Sequence, residues 1–262
     1  MPDAHALVRK PSPCFRRALS GHPDKRTIDN ERALAQHLAY VRALEALGVV
    51  VEYLPPLEHC PDGPFVEDTV LVFEDFAVVC PMREVSRREE AFSVLERIRE
   101  SYSLIQLPQG CEMDGGDVLR AGKQIFVGLS RRTNRQAISA LRERVPYPVH
   151  EVPVTRGLHL KSAVSYLGEN VLLFDRSCVD PIYFPDFRLL EVAPEEGYSA
   201  NVLKVGDALI VPAGYPKVKA VIAKENLFSK IIERDMSEFE KADGGLTCLS
   251  IFIQPGVAGV NK

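Results

Sequence analysis

With 262 residues, 46% of them hydrophobic and 26% charged, the chain can bury a substantial core and has an ordinary globular composition. Its formal net charge of −4 argues against a polybasic surface, and so against nucleic acid or an anionic membrane as partner. No apolar run approaches the roughly 20 residues that cross a bilayer, the first residues lack the layout of a secretory leader, and the cysteines at 14, 60, 80, 111, 178 and 248 form no CxxC pair, so a cytoplasmic protein without structural zinc or disulfides is expected.

Residues 6–9 read as a short strand, and the polar, proline-containing stretch 11–21 has the composition of a mobile lid. Leu34, Leu38, Val41, Leu44 and Leu47 recur at helical spacing over 29–47, and Gly48 stops that helix. A strand at 49–54 ends at Pro55-Pro56. From there a module repeats: a hairpin, a helix and a returning strand. Its first copy pairs 70–73 with 77–80, opens a helix at Ser86-Arg87-Arg88-Glu89, which has capping-box spacing, and returns at 104–107. The second runs through 118–120, 125–127, a helix over 133–145 and a strand at 149–152. The third has strands at 163–167, 171–174 and 189–192, with a proline-rich connection where its helix should be. The fourth takes 202–205, 209–211, a helix over 217–228 and a strand at 231–233. A fifth closes only in space, from the strand after Cys248, the N-terminal strand, the first helix and 49–54. Five ββαβ units of roughly 40 to 55 residues predict an α/β fold, a five-bladed propeller closed by pairing of its N- and C-terminal segments. No linker interrupts the pattern, so a single domain over 1–262 is expected, with its core at about 4–253 and a flexible tail at 254–262.

In a radial repeat, the residues just before each unit's first strand converge around the axis. Here they are Glu67-Asp68, Asp114-Gly115-Gly116-Asp117, His159, Ser199-Ala200-Asn201, and Asp243-Gly244-Gly245 through Cys248. The paired glycines allow either close backbone approach or positive φ. Singly, such a histidine is usually a structural hydrogen-bonder, such a cysteine core filling, and such acids turn caps. At corresponding places in different repeats they are hard to attribute to packing. Together they suit attack on a guanidinium-like carbon. A thiolate supplies the nucleophile, and His159 can protonate a leaving amine and then activate water. Carboxylates at Asp68 and Asp114 can clamp a planar cation bidentately.

Six segments carry a family resemblance: Phe65-Val66-Glu67-Asp68, Met113-Asp114-Gly115-Gly116-Asp117-Val118-Leu119, Gly128-Leu129-Ser130-Arg131-Arg132-Thr133-Asn134, Leu158-His159-Leu160-Lys161-Ser162, Pro212-Ala213-Gly214-Tyr215-Pro216 and Lys241-Ala242-Asp243-Gly244-Gly245-Leu246-Thr247-Cys248. Over residues 4–253 the chain resembles the dimethylarginine dimethylaminohydrolases, the smallest members of the guanidino-group-modifying superfamily. The resemblance implies a five-bladed α/β propeller that hydrolyses Nω,Nω-dimethyl-L-arginine and Nω-monomethyl-L-arginine to L-citrulline and the methylamine. The route implied is an S-alkylthiouronium intermediate on Cys248, with neither metal nor organic cofactor. Position by position, it makes Cys248 the nucleophile, His159 the general acid/base and Asp114 the acid of the triad, where relatives carry glutamate or aspartate. Asp68 would hold the guanidinium, Glu67 and Asp62 would line the pocket, and Arg87 and Arg132 would bind the amino-acid end. Leu19 would be the lid contact, and Asp243 with Ala242 would shape the substrate side of the nucleophile loop. The oligomer, monomer or homodimer, is not fixed by any of this. Two other readings stay open: an arginine deiminase-type hydrolase of the same superfamily, and a non-catalytic propeller that binds partners. The deiminases carry an inserted helical bundle for which this chain has no room, and a binding module has no need of the thiol, histidine and acids. Zinc captured between Cys248 and His159 would inhibit.

Overall fold

A computed structural model describes residues 4–254. The expected flexible tail, Gln254 apart, lies outside the described residues. The fold is α/β. Runs such as Val171–Phe174 and Ala208–Pro212 are buried along their whole length, and they are continuously apolar because both faces are covered. Among the described residues the strands form five three-stranded sheets. The first sets β1 (His5–Val8) between β2 (Val50–Tyr53), parallel, and the C-terminal β15 (Ile251–Ile253), antiparallel. The others follow chain order: β3 (Val70–Val72), β4 (Phe76–Val79), β5 (Ser103–Gln106); β6 (Val118–Ala121), β7 (Gln124–Leu129), β8 (Val149–Pro153); β9 (Val164–Gly168), β10 (Val171–Phe174), β11 (Arg188–Glu191); and β12 (Leu203–Val205), β13 (Ala208–Pro212), β14 (Lys230–Arg234). In each, the middle strand is antiparallel to the first and parallel to the third, as Val118 opposite Val127 and Val127 opposite Glu151 illustrate.

Helices α1 (Asn30–Ala46), α2 (Ala91–Ile98), α3 (Arg135–Arg142) and α4 (Pro216–Lys224) make four of the parallel crossovers. Asp29 caps α1 by accepting from the amides of Glu31 and Arg32 at 2.9 and 3.1 Å, and Gly48 ends it at φ +81°. Asn134 caps α3 the same way, and Pro216 opens α4. Two expectations are corrected. The inward face of α1 is Ala33, His37, Tyr40 and Leu44, while Leu34 is exposed, because the surface it meets is aromatic and takes small and ring side chains. Ser86 caps nothing: Val85–Glu90 is a 3₁₀ stretch and α2 starts after it, since the Arg87 side chain turns inward onto buried carboxylates.

Apolar packing lies between successive sheets. Leu7 and Ile251 meet Val70, Ala77 and, from α2, Val94 and Ile98. Leu71 and Val78 meet Val118, Ile125 and Val127 with Ile138 and Leu141 of α3. Leu119 and Phe126 meet Val164, Leu172 and Phe174. Leu167 and Leu173 meet Leu209 and Val211 with Val218 and Ile222 of α4. Leu203, Val205 and Ile210 then meet Ala6, Val8 and, from α1, Tyr40 and Leu44. A helical turn precedes the first strand of each sheet: Val66–Asp68, Gly115–Asp117, Leu160–Ala163, Pro194–Ala200 and Thr247–Leu249. The turn before β3 touches those before β15 and β6, and the turn before β9 touches those before β6 and β12. No helix among the described residues is long and apolar enough to cross a membrane.

Candidate active site

Those turns bring together a thiol, an imidazole and several carboxylates from different sheets. His159 is extended at φ −136° and opens the turn before β9, 3% exposed. Its Nε2 lies 3.0 Å from Asp114 Oδ2, and its Nδ1 lies 3.9 Å from Asp68 Oδ1. The turn is pinned by Asp117, a buried carboxylate that accepts from Leu160 N, Ser130 Oγ and Thr133 Oγ1 at 2.9, 2.6 and 2.7 Å. Gly115 and Gly116 make this approach possible. A Cβ on Gly116 would lie 2.5 Å from His159 Nδ1 and 2.8 Å from Asp68 Oδ1, and one on Gly115 would strike the Glu67 carbonyl.

Asp68 is held from both sides. Gly116 N donates to Oδ1 at 2.9 Å and Arg87 Nη1 to Oδ2 at 2.8 Å. Arg87 also donates to both Glu90 oxygens and to Phe65 O, which leaves one Nη1 hydrogen free for a ligand. Glu90 was not foreseen. It is wholly buried behind Arg87, and burial pushes its carboxyl up to about 7 against the pull of that guanidinium. Arg132 donates to Asp114 Oδ2 at 3.4 Å. Burial opposes the imidazolium of His159, but Asp68, the Asp114 hydrogen bond and Asp117 outweigh it and raise the ring to about 9. Burial likewise opposes the Asp68 carboxylate, but His159 and Arg87 hold it at about 2.

Cys248 sits in the turn Thr247–Leu249, one turn before β15 rather than at the strand's exposed end, and is 7% exposed. Its sulfur accepts from Gly245 N at 3.4 Å, yet burial, then Glu67 and Asp68, push the thiol up to about 12. The glycines before it serve close approach: a Cβ on Gly244 would strike the Phe65 ring, and one on Gly245 the Asn201 amide. Positive φ falls instead on Asp243, at +55°.

One cavity of about 10 Å³, room for little more than a water, is lined by Asp68, Arg87, Arg132, His159 and Cys248, and by Leu19, Asp62, Ala242 and Asp243. Asp114 stands behind His159. Glu67 is placed elsewhere: its carboxylate bonds Lys161 Nζ at 2.5 Å and Thr247 Oγ1 at 3.0 Å and borders a separate cavity of about 320 Å³ among the first strands. The cavity over Cys248 is closed by the 11–21 segment. Leu19 N donates to both Asp62 oxygens at 3.2 Å, Gly21 N to Asp243 at 2.5 Å and Ser20 Oγ to Lys241 O at 2.8 Å. Asp62 therefore tethers this segment besides lining the cavity. Lys161 and Asn201, which bonds Thr247 Oγ1 at 3.0 Å, are further members that sequence reading left without a role, although both lie in or beside the marked motifs.

Among the described residues, the atoms close enough to share an ion belong to Asp68, Asp114 and His159, within 4.8 Å of one another. Cys248 is not in that group, although it lines the same cavity as His159. Arg87 and Arg132 already neutralise the two carboxylates. All six cysteines are free thiols.

A thiol and an imidazolium set among fixed anions in a closed cavity suit displacement at the carbon of a bound cation. On this α/β scaffold, they define the class of guanidino-group-modifying hydrolases. A family model described as N,N dimethylarginine dimethylhydrolase, eukaryotic, matches residues 13–180. The dimethylarginine dimethylaminohydrolase of Streptomyces coelicolor is 39% identical over 96% of this chain and 97% of its own. That of Pseudomonas aeruginosa is 36% identical over 94% of this chain and 98% of its own. A solved structure of the Pseudomonas aeruginosa enzyme, a cysteine-to-serine mutant complexed with citrulline, superposes with a TM-score of 0.89 at 31% identity, covering 97% of this chain and all of that one. The chain belongs to the dimethylarginine dimethylaminohydrolase family.

Proposed function

We propose that the protein hydrolyses Nω,Nω-dimethyl-L-arginine and Nω-monomethyl-L-arginine to L-citrulline and dimethylamine or methylamine. The observation that carries this reading is the site that Asp68, His159 and Cys248 form around one closed cavity, with Asp114 on the far side of His159. Its four residues come from four sheets, and the named relatives act on this substrate.

The lid lifts at Leu19, because the closed cavity cannot admit an arginine side chain. Asp68 receives the guanidinium, and the spare Nη1 hydrogen of Arg87, with Arg132, meets the amino-acid end. In the free protein the thiol is neutral, held up by burial and by Glu67 and Asp68. A bound cation beside the sulfur offsets Glu67 and Asp68 and favours the thiolate, the thiol proton passing to solvent water as the cation enters. The thiolate attacks the guanidinium carbon. His159 is cationic at neutral pH and donates its Nδ1 proton, the one not engaged by Asp114, to the departing amine. An S-alkylthiouronium remains on Cys248. His159, now neutral, takes a proton from water as that water attacks the same carbon, and collapse to citrulline returns the sulfur. No step calls on a metal or organic cofactor.

The five sheets are read as blades of one closed propeller, a single domain over 1–262. This rests on the five apolar seams, each shared by consecutive sheets, and on the β1–β15 pairing that joins the chain ends. A cytoplasmic monomer or homodimer fits the reduced thiols.

The test is release of citrulline and dimethylamine from dimethylarginine, beside arginine, with Cys248→Ser as control. Equal release of both products, lost in the mutant, is expected. Turnover of arginine alone would move the assignment to a deiminase, and no turnover of either would return Cys248 to a packing role.

A further inference from the structure

The net charge argued against any polybasic surface, yet cations concentrate above the lid. A cavity of about 800 Å³ lies outside the Cys248 pocket and shares Leu19, Arg132, Leu158 and Asp243 with it. Arg16 and Arg17 line it from the lid segment, and Lys25 and Arg26 from the short turn Lys25–Thr27 that follows it. Arg83, Arg131 and Arg132 face them from the rim, and the acids are Glu84 and Asp243. Arg83 reaches Glu112 at 3.7 Å, and Arg132 is committed to Asp114. Asp243 is spent on the Gly21 amide. Among the described residues, Arg16, Arg17, Lys25, Arg26 and Arg131 form no ion pair, although Lys25 donates to Ser20 O at 2.6 Å.

Seven cationic side chains against two acidic ones line one cavity, and a counter-anion among them relieves their mutual repulsion. A substrate of net charge +1 is repelled by the same field, so steering of methylarginine does not account for the cluster. Guanidinium forks match oxygen anions bidentately. The volume suits a ligand larger than one phosphate, and no aromatic side chain lines the cavity to stack a nucleobase.

We infer that this vestibule is a binding site for a compact multivalent oxyanion, of polyphosphate or polycarboxylate type, which bridges the lid arginines to the rim arginines and holds the lid shut over Cys248. The lid segment supplies Arg16 and Arg17 as well as Leu19, so neutralising charge across the gap favours the closed arrangement of all three. Bound anion thus slows entry to the pocket. The link to turnover rests on the proposed activity; anion binding itself does not.

The experiment titrates inorganic tripolyphosphate, and separately citrate, into the full chain by calorimetry at constant ionic strength, with chloride as control. Alongside, the labelling rate of Cys248 by 2-chloroacetamidine is followed by mass spectrometry. Saturable one-to-one binding by at least one of the two is expected, and it identifies which oxyanion class the site takes. Binding should weaken about tenfold or more in the exposed-residue double variant Arg17→Ser/Arg131→Ser and persist in Cys248→Ser. Labelling should slow several-fold with anion in the wild type and be unaffected by it in the double variant. No saturable binding of either anion, binding that survives the double variant, or binding that leaves the labelling rate unchanged would overturn the inference. A failed turnover assay with intact anion binding would count only against the proposed reaction.

Discussion

Asp68 offers the sharpest test of the site's electrostatics. His159 titrates near 9 in the folded protein against about 6.5 unfolded, because Asp68 leads the anions that outweigh burial. At 1.36 kcal/mol per unit this is about 3 kcal/mol of stability, on the scale of the whole margin of a folded domain. Since the folded value is the higher one, the contribution is complete below pH 6.5 and drains away as pH rises to 9. Asp68 contributes with the opposite sign: held near 2, it stabilises above its ordinary 3.8 and loses that effect as pH falls. Replacing Asp68 by Asn preserves an oxygen for Gly116 N but leaves Arg87 with Glu90 as its remaining carboxylate. Breaking a buried pair in this way costs about 3–5 kcal/mol. Urea unfolding followed by circular dichroism at pH 6, 7.5 and 9 reads both effects. The wild type should lose about 4 kcal/mol across that range, from His159 and from the raised Glu90 carboxyl, and Asp68→Asn should start lower and lose clearly less. A wild type that is flat from pH 6.5 to 9, or a variant with the wild-type slope, would refute the coupling.

Gly116→Ala drives a methyl into His159 and Asp68; displacing both by about an ångström should cut kcat/KM about a hundredfold or more, measured by citrulline formation. His37 is buried with no partner for either ring nitrogen, and burial, with Lys10 nearby, lowers it to about 4. Its depressed value means stability is lost as pH falls from 6.5 towards 4, so His37→Leu should shift the acid-unfolding midpoint to lower pH, and an unchanged midpoint would count against this. Asp62→Ala frees the Leu19 amide; the haloamidine should then label Cys248 about tenfold faster, and an unaltered rate would show that the carboxylate does not tether the lid.

Much of this was legible in the chain. Apolar runs with turn glycines marked the hairpins, and the repeat of hairpin, helix and strand put Asp68, Asp114, His159 and Cys248 at matched positions. What escaped was side-chain direction. Leucine spacing in α1 gave the helix but not its inward face, which His37 and Tyr40 take because their partners are aromatic. Arg87 lay in a stretch with capping-box spacing, and its partners could not be read there, since only the fold brings Asp68 and Glu90 to it. Glu67 stood next to Asp68 in sequence but turns to Lys161 and another cavity, as neighbours on a tight turn point apart. Net charge could not reveal the cationic vestibule, because a sum over the chain discards position.

The pairing of β15 with β1 also sets when the protein becomes chemically competent. Cys248 arrives with β15, the last strand among the described residues, and its partner β1 is the first of them. The thiol can therefore join His159 only once β15 has been made, some sixty residues after β11 completes the sheet that His159 precedes. Until then the imidazole and acids can pre-assemble without a nucleophile, and the cysteine remains an ordinary thiol in an unfinished chain. Reactivity at Cys248 towards a cationic probe would thus serve as a clock for ring closure, reporting the final folding event rather than the accumulation of secondary structure.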